Sequence, residues 1–304
     1  MTPPPVTFEE LFDPAFLATL SRWSLAARRV SGGGRHGARL SQDFGPGIEF
    51  KDYRPYAAGD DLRAVDWNLY RRLGKVFVRI FEEEQDLPIY LLPDVSRSMF
   101  HRDAGVPGIV AALRCTLALA AVGLNHHDCA GLFAFAQKLE VLSKPKSGPS
   151  QILPVARQLA QLAARPPGDR TDLPVSLRRL ASLNLRRGLV VLISDFFDPG
   201  GPAALHEALR ALRHRVVVIQ LVRAADATPK IGGDVRLTDC ESGEATDLTI
   251  TPRVLARYQA AYKTFNNELS RVARARRAHH VRIDVEADLI VQLAPLFEPG
   301  AVSV

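Results

Sequence analysis

Oxygen-bearing side chains stand at the points where apolar runs of strand length end. One group follows the run 87–92 and another follows the run 188–194. The five candidates are Asp94, Ser96, Ser98, Thr171 and Asp195. Carboxylate and hydroxyl oxygens are hard ligands, and Mg²⁺ prefers about six of them at about 2.1 Å. Five side chains, some acting through water, would leave one position on the ion open to an acidic group of a partner.

The spacing of Asp94, Ser96 and Ser98 favours a common target. In a locally extended loop alternate side chains point to the same side, so one carboxylate and two hydroxyls would face a single point. The same spacing is also typical of a turn that ends in a helix N-cap. The metal interpretation therefore depends on Thr171 and Asp195 reaching the same point from separate loops.

The chain after residue 86 alternates between apolar runs of strand length and stretches with helical spacing. Strands are predicted at 87–92, 129–135, 188–194, 215–222 and 281–285, and helices at 106–126, 149–164, 173–184, 201–213, 252–278 and 288–297. Nearly continuous Val, Ile and Leu runs are typical of strands that are buried on both faces. We therefore predict an α/β fold with a doubly wound, mostly parallel sheet, whose ligands bind beyond the carboxyl ends of the strands.

Two segments fall outside this alternation. The first is an N-terminal extension with a predicted helix at 8–30, a polar stretch at 40–74 and a strand at 77–81. The second is a predicted β-hairpin insert at about 233–251. We expect residues 1–84 to pack on a sheet domain formed by residues 85–304.

Acidic residues of the polar stretch allow two interpretations. Asp60, Asp61 and Asp66 could form an acid–base set, or they could pair with arginines in an aromatic-packed surface. No His, Cys or Ser nucleophile accompanies them in sequence, and pairs of arginine with carboxylate favour structural bonding.

Composition excludes several classes of protein. The 304 residues are 47% hydrophobic, which excludes general disorder, and 39 Lys and Arg against 33 Asp and Glu give a net charge of +6. Three distant cysteines exclude a disulfide framework and predict a reducing, cytoplasmic location. The N-terminus lacks the pattern of a signal peptide, and the longest apolar stretch, 109–124, is shorter than the ~18–20 residues of a membrane span. We expect that stretch to be a buried helix.

Longer motifs carry a resemblance to known families. DVSRSM at 94–99, the threonine loop and ISD at 193–195 resemble the metal-ion-dependent adhesion site of von Willebrand factor type A domains. Residues 45–84 and 233–262 are similar to the bacterial family called domain of unknown function 58.

The resemblance implies a von Willebrand factor A fold, which is Rossmann-like, and a bound divalent cation, Mg²⁺ or else Mn²⁺ or Ca²⁺. It implies that Asp94, Ser96 and Ser98 are first-loop ligands, Thr171 the second-loop ligand and Asp195 the third. It further implies a non-catalytic binding role and a MoxR-type AAA+ ATPase as partner. Many members carry N-terminal membrane helices, which we do not expect here. Pro93 departs from the pattern, since an ordinary strand residue is more usual there.

The first hypothesis is therefore a metal-dependent protein-binding module that is not an enzyme. Arg97 and Met99 lie in the metal loop but outside the ligand set, so we expect them at the rim that contacts the partner. One alternative is a metal-dependent phosphoester hydrolase, although such enzymes favour carboxylate-rich sites and hydroxyls outnumber carboxylates here. A second alternative is nucleic-acid binding through the arginines at 22–39 and 271–277.

Overall fold

The computed structural model describes residues 7–22, 49–82, 88–101, 105–126, 128–166 and 170–297. The chain divides into two compact units. The smaller unit covers residues 29–86, and the larger unit contains residues 1–28 together with residues 87–304.

The N-terminal helical stretch consists of two pieces. Helix α1 covers Phe8–Leu11, and residues 14–22 are also helical and are named α2 here. The break arises because Thr7 caps α1 while the Asp13 carboxylate accepts a bond from the Phe16 amide at 2.8 Å, which starts a new helix. The prediction of one helix over 8–30 missed this break, and residues 23–30 lie outside the described part of the chain.

The smaller unit is an antiparallel pair of strands with a helix between them. Its elements are β1 (Glu49–Pro55), a 3₁₀ turn (Leu62–Ala64), α3 (Trp67–Leu73) and β2 (Phe77–Glu82). Asp66 caps α3, and Gly74 ends the helix with a left-handed φ of 67°. The predicted strand at 77–81 is present, whereas β1 lies in a stretch that the sequence pattern describes only as polar.

Carboxylates of this unit are engaged in structural pairs. Asp60 bonds Arg54 at 2.7 Å, and Asp66 bonds Arg79 at 3.1 Å. The bond from Arg54 holds the pKa of Asp60 below its usual value, and the Leu69 amide does the same for the pKa of Asp66. A general acid needs the opposite shift, so the geometry supports the ion-pair interpretation of these residues.

The larger unit is built on a six-stranded, mostly parallel sheet. Its strands are β3 (Pro88–Pro93), β4 (Cys129–Phe135), β5 (Leu139–Ser147), β6 (Leu189–Ser194), β7 (Arg215–Val222) and β10 (His279–Asp284). The spatial order is β10-β7-β6-β3-β4-β5, and only β5 runs antiparallel to its neighbour. The prediction of an α/β fold with a mostly parallel sheet is confirmed at this level.

Helices cover both faces of the sheet. They are α4 (Gly108–Asn125), α5 (Ile152–Ala164), α6 (Leu173–Ser182), α7 (Gly201–Arg210), α8 (Ala224–Ala227), α9 (Pro252–Ala275) and α10 (Leu289–Leu293). Strand β3 shows why two layers form, because Ile89 and Leu91 pack in one core while Tyr90 and Leu92 pack in the other. The first core includes residues of α1, α2, α4, α5 and α10, and the second includes residues of α6, α7 and α9.

Helix α4 is apolar on nearly every side. By length and composition it could cross a membrane, and 89% of its most apolar stretch is buried inside the fold. Its side chains form a large part of the first core, as expected for the stretch 109–124.

Strand β5 was not predicted from the sequence. It lies at one edge of the sheet, its residues are exposed or half-buried, and it carries Lys144, Pro145 and Lys146. Lysine and proline on an edge strand prevent it from pairing with a strand of another molecule. They also interrupt the run of apolar residues from which a strand is predicted in a sequence.

The hairpin insert is present and consists of β8 (Gly233–Thr238) and β9 (Ala245–Ile250). These two strands form a separate sheet, and nearly all of their residues are exposed or half-buried. A two-stranded sheet of this kind has little stability by itself. Its position therefore depends on contacts with the rest of the unit.

Gly188, directly before β6, gives a sharp test of the register between β6 and β3. A Cβ at this position would lie 2.1 Å from the backbone carbonyl oxygen of Pro88. Gly188→Ala is therefore expected to lower the free energy of unfolding by about 2–4 kcal/mol. Gly232→Ala is the matched control, because a Cβ there meets nothing within 4 Å. Urea denaturation measures both, and equal stabilities of the two variants would contradict this register.

Candidate metal centre

The candidate ligands lie at the carboxyl ends of β3 and β6, the two central strands. From β3 the chain proceeds to β4 on one side, and from β6 it proceeds to β7 on the other side. The connections therefore leave the sheet in opposite directions, which is the arrangement at which open α/β sheets bind ligands.

Asp94 is the residue on which this site is centred. Its side chain is fully buried, and its amide continues the ladder by donating to the Ile193 carbonyl at 2.9 Å. Its Oδ2 accepts a bond from Ser194 Oγ at 2.6 Å, and its Oδ1 accepts one from the Ser96 amide at 2.9 Å. Pro93 does not disturb this arrangement, since pairing with β6 continues through it to Asp94.

Two carboxylates at these strand ends have no ion-pair partner. Within the described ranges, the ion pairs include neither Asp94 nor Asp195, although the nearby charge of Arg223 partly offsets the rise in the pKa of Asp195. Burial, followed by the nearby charge of Asp195, raises the pKa of Asp94 to about 7. Burial also raises the pKa of Asp195 to about 6, with further contributions from the charges of Glu241 and Asp226. Concentrated negative charge of this kind is stabilised by a bound cation.

Hydroxyl groups of the first loop adjoin this pair. Ser96 is fully buried, and its Oγ lies 3.1 Å from Ser98 Oγ. Ser98 in turn donates to Glu241 Oε1 at 3.0 Å. The backbone amide of Thr171, whose residue is buried, donates to Glu241 Oε2 at 3.4 Å. A contact through Glu241 therefore joins the loop of Ser98 to the loop of Thr171.

The turn after β6 has an unusual backbone. Phe196 is buried and has a left-handed φ of 62°, which is uncommon for a residue with a side chain. Two local bonds hold this turn, since Ser194 Oγ accepts from the Phe196 amide at 2.9 Å and Asp195 Oδ1 accepts from the Phe197 amide at 3.0 Å. The turn keeps Asp195 near the end of the strand.

The two residues predicted for the rim have different positions. Arg97 is exposed, as a partner contact requires. Met99 is 1% exposed and belongs to the first core, so the prediction that it lies on the rim is wrong. The reason is the 3₁₀ turn Arg97–Phe100, which directs Met99 towards Gly108 of α4.

Sequence reasoning missed two residues of this site. Ser194 could have been found, because it ends β6 directly before Asp195 and its side chain bonds Asp94. Glu241 gave no signal, because it lies in the turn of the hairpin insert, 143 residues from its partner Ser98.

The chemistry of these donors fits a hard divalent cation. Two carboxylates and three hydroxyls supply oxygen only, which suits Mg²⁺ or Mn²⁺ rather than a soft metal. Over the part of the chain that the structure describes, no group of three or more His, Cys, Asp or Glu side chains has the arrangement of a metal site. Any ion here would therefore depend on the serine and threonine hydroxyls as well as on Asp94 and Asp195.

A depression in the surface lies beside Thr171. Its volume is about 340 Å³, and its walls come from the loop before α6 and from the start of α7, including Arg170, Asp198 and Glu207. Asp198 also ties these two loops together by accepting a bond from the Leu173 amide at 3.0 Å.

The arginines considered for nucleic-acid binding are only partly described. Those at 271–277 are exposed near the end of α9. Of the arginines at 22–39, Arg22 is described and the others lie outside the described residues.

The fold and site define a mixed α/β protein with a cluster of oxygen-bearing side chains at the end of a mostly parallel sheet. Residues 52–268 match the family described as "Protein of unknown function DUF58". The match covers more than half of the chain, so the protein belongs to this family.

Mycobacterial proteins are similar along the chain. Uncharacterized protein Mb1516 of Mycobacterium bovis is 27% identical over 293 residues, which cover 96% of this chain and 92% of that protein. Uncharacterized protein MAV169 of Mycobacterium avium is 28% identical over 150 residues, which cover 49% of this chain and 87% of that protein.

Solved structures show weaker similarity. The conserved hypothetical protein BatB from Bacteroides thetaiotaomicron matches with a TM-score of 0.38 and 13% identity, covering 65% of this chain and 90% of that one. An aerotolerance-related membrane protein from Bacteroides fragilis matches with a TM-score of 0.36 and 15% identity, covering 61% of this chain and 99% of that one.

Asp94 gives a test of the buried charge. The pKa of the Asp94 carboxyl is about 7 in the folded protein and near 3.8 in the unfolded chain. The folded state therefore binds the proton more tightly than the unfolded state does. As a result, the folded protein loses stability as the pH rises from about 4 to about 7. In metal-free solution at pH 8, Asp94→Asn is therefore expected to unfold with a free energy about 1–3 kcal/mol higher than wild type. Near pH 4 the difference should disappear. Urea denaturation at the two pH values measures it.

Asp247→Asn is the matched control for this experiment, because Asp247 lies on the hairpin and its side chain is 83% exposed. It should leave the stability unchanged at both pH values. A metal-free Asp94→Asn variant that is less stable than wild type at pH 8 would contradict the buried, uncompensated charge.

Proposed function

We propose that this protein is a non-catalytic, divalent-metal-dependent protein-binding module with a von Willebrand factor A-like sheet domain. The ion is Mg²⁺, or else Mn²⁺ or Ca²⁺, and its ligands are Asp94, Ser96, Ser98, Thr171 and Asp195. The observation that carries the proposal is the burial of Asp94 beside a second carboxylate, with neutral donors as its hydrogen-bond partners. Taking a carboxylate out of water is costly unless a cation compensates its charge.

The role of the protein in this proposal is to hold the ion and to limit what reaches it. A bound divalent cation supplies a positive charge that attracts the Asp or Glu of a partner protein. Asp94 and Asp195 provide the anionic anchor, and the hydroxyls of Ser96, Ser98 and Thr171 complete the oxygen set without adding charge. Two carboxylates balance the charge of a divalent ion, so a partner's acidic group would bind as a ligand at the open coordination position.

Specificity comes from the surface around the ion. Arg97 is exposed in the first loop, and the depression of about 340 Å³ beside Thr171 offers a second surface of mixed polarity. A partner that places an acid on the ion and side chains in this depression gains contacts that a free carboxylate lacks.

The partner we propose is a MoxR-type AAA+ ATPase or its client, with the chain as a cytoplasmic adaptor. This step rests on the resemblance of residues 45–84 and 233–262 to the family.

The hydrolase alternative is less favoured, because metal hydrolases rely on carboxylate-rich sites and often on two ions, whereas this set has two carboxylates and three hydroxyls. A phosphoesterase assay with Mg²⁺ and Mn²⁺ separates the two functions.

Calorimetric titration with Mg²⁺ tests the metal site. Wild type should release or absorb binding heat, and Asp94→Ala should lower the affinity by at least tenfold, because the substitution removes the central anionic ligand. Asp247→Asn, an exposed carboxylate on the hairpin, should bind Mg²⁺ as wild type does. Equal heats for wild type and Asp94→Ala would reject the site.

The adaptor role predicts metal-dependent co-purification. A tagged copy of this protein should retain the AAA+ ATPase in the presence of Mg²⁺ and lose it in the presence of a chelator. Asp94→Ala should lose it under both conditions. Retention that is indifferent to chelator would contradict a contact that is bridged by metal.

A further inference from the structure

Glu241 brings a carboxylate of this chain to the candidate metal centre. Its Oε1 accepts from Ser98 Oγ at 3.0 Å, and its Oε2 accepts from the Thr171 amide at 3.4 Å. Both partners belong to the proposed ligand set.

The turn that carries Glu241 is held in one conformation. The Asp239 carboxylate accepts bonds from the Glu241 amide at 2.8 Å and from Ser242 Oγ at 2.9 Å. Gly243 supplies the left-handed φ of 75° that closes the turn, and its amide bonds the Asp239 carbonyl at 2.9 Å. A turn of this rigidity presents Glu241 outward from the hairpin with little loss of entropy.

Glu241 is also the attachment point of the hairpin turn. Among the described residues, the hydrogen bonds that join residues 239–244 to the rest of the larger unit are the two made by the Glu241 carboxylate. The strands β8 and β9 are otherwise largely exposed. Displacement of the Glu241 carboxylate would therefore remove both of these hydrogen bonds.

We infer that Glu241 is an internal ligand that occupies the open position of the metal centre, and that a partner's acidic residue binds by displacing it. The inference rests on the proposed metal site and adds to it the competitor that controls access. The hairpin then serves as a tethered mimic of the partner, with Glu241 in the place of the partner's Asp or Glu.

Because Glu241 is tethered at the site, only some partners are able to displace it. A carboxylate held on a short segment has an effective concentration on the order of millimolar or higher at its site. A free carboxylate at a lower concentration cannot displace it. A partner succeeds only if its acid is accompanied by further contacts with the surrounding loops, so the hairpin selects for a complete protein surface over a single acidic group.

Mn²⁺-loaded protein provides the test, with Glu241→Ala compared with wild type. Glu244→Ala is the matched control, because Glu244 is an exposed carboxylate of the same turn. Water-proton relaxation counts the water molecules on the bound Mn²⁺, and acetate serves as the carboxylate probe.

Glu241→Ala is expected to gain about one water on the Mn²⁺ and to bind acetate at least tenfold more tightly. Glu244→Ala should match wild type in both measurements. Equal water counts and equal acetate affinities for wild type and Glu241→Ala, both loaded with Mn²⁺, overturn the inference and leave the metal site standing. A wild-type protein that takes up no Mn²⁺ overturns both proposals.

Discussion

A carboxylate buried at the end of a central strand is the constraint on which the arrangement of this protein depends. Asp94 is fully buried, and its hydrogen bonds come from Ser194 and from the backbone of Ser96, which are neutral groups. The negative charge is therefore oriented by the fold but is not neutralised by it. The low dielectric of the surroundings makes this charge costly.

The sheet can carry such a residue because two cores hold it from both sides. Helices pack on each face, and β3 contributes alternating side chains to both layers. Since β3 and β6 are central strands, their ends are displaced only if neighbouring strands move as well. The connections after these two strands leave in opposite directions, and this is the position where α/β sheets bind ligands.

The hairpin brings the carboxylate of Glu241 into hydrogen-bonding contact with Ser98 and Thr171. Glu241 comes from the turn of a small, separate sheet that depends on outside contacts for its position, whereas Asp94 and Asp195 follow strands of the main sheet. In the exchange proposed above, Glu241 would leave the site while the main sheet keeps its fold, because local parts of a protein open more easily than its core.

The sequence by itself determined the elements whose signal is local. Continuous apolar runs located the buried parallel strands within a few residues, and the alternation of Asp94, Ser96 and Ser98 after one of them pointed to the site. The edge strand β5 was missed, because its residues face solvent and leave no apolar run. The break between α1 and α2 was also missed, since the Asp13 side chain stops one helix and starts the next within an otherwise helical pattern.

Tertiary structure alone decided which side chains meet. Met99 was expected at the surface, but a single 3₁₀ turn directs it into the core. Glu241 contacts Ser98 across 143 residues, and nothing near either residue in the sequence indicates this contact. Periodicity reports only whether a residue faces a core or solvent, whereas the meeting of distant groups depends on the packing and connection of whole elements, which no local pattern encodes.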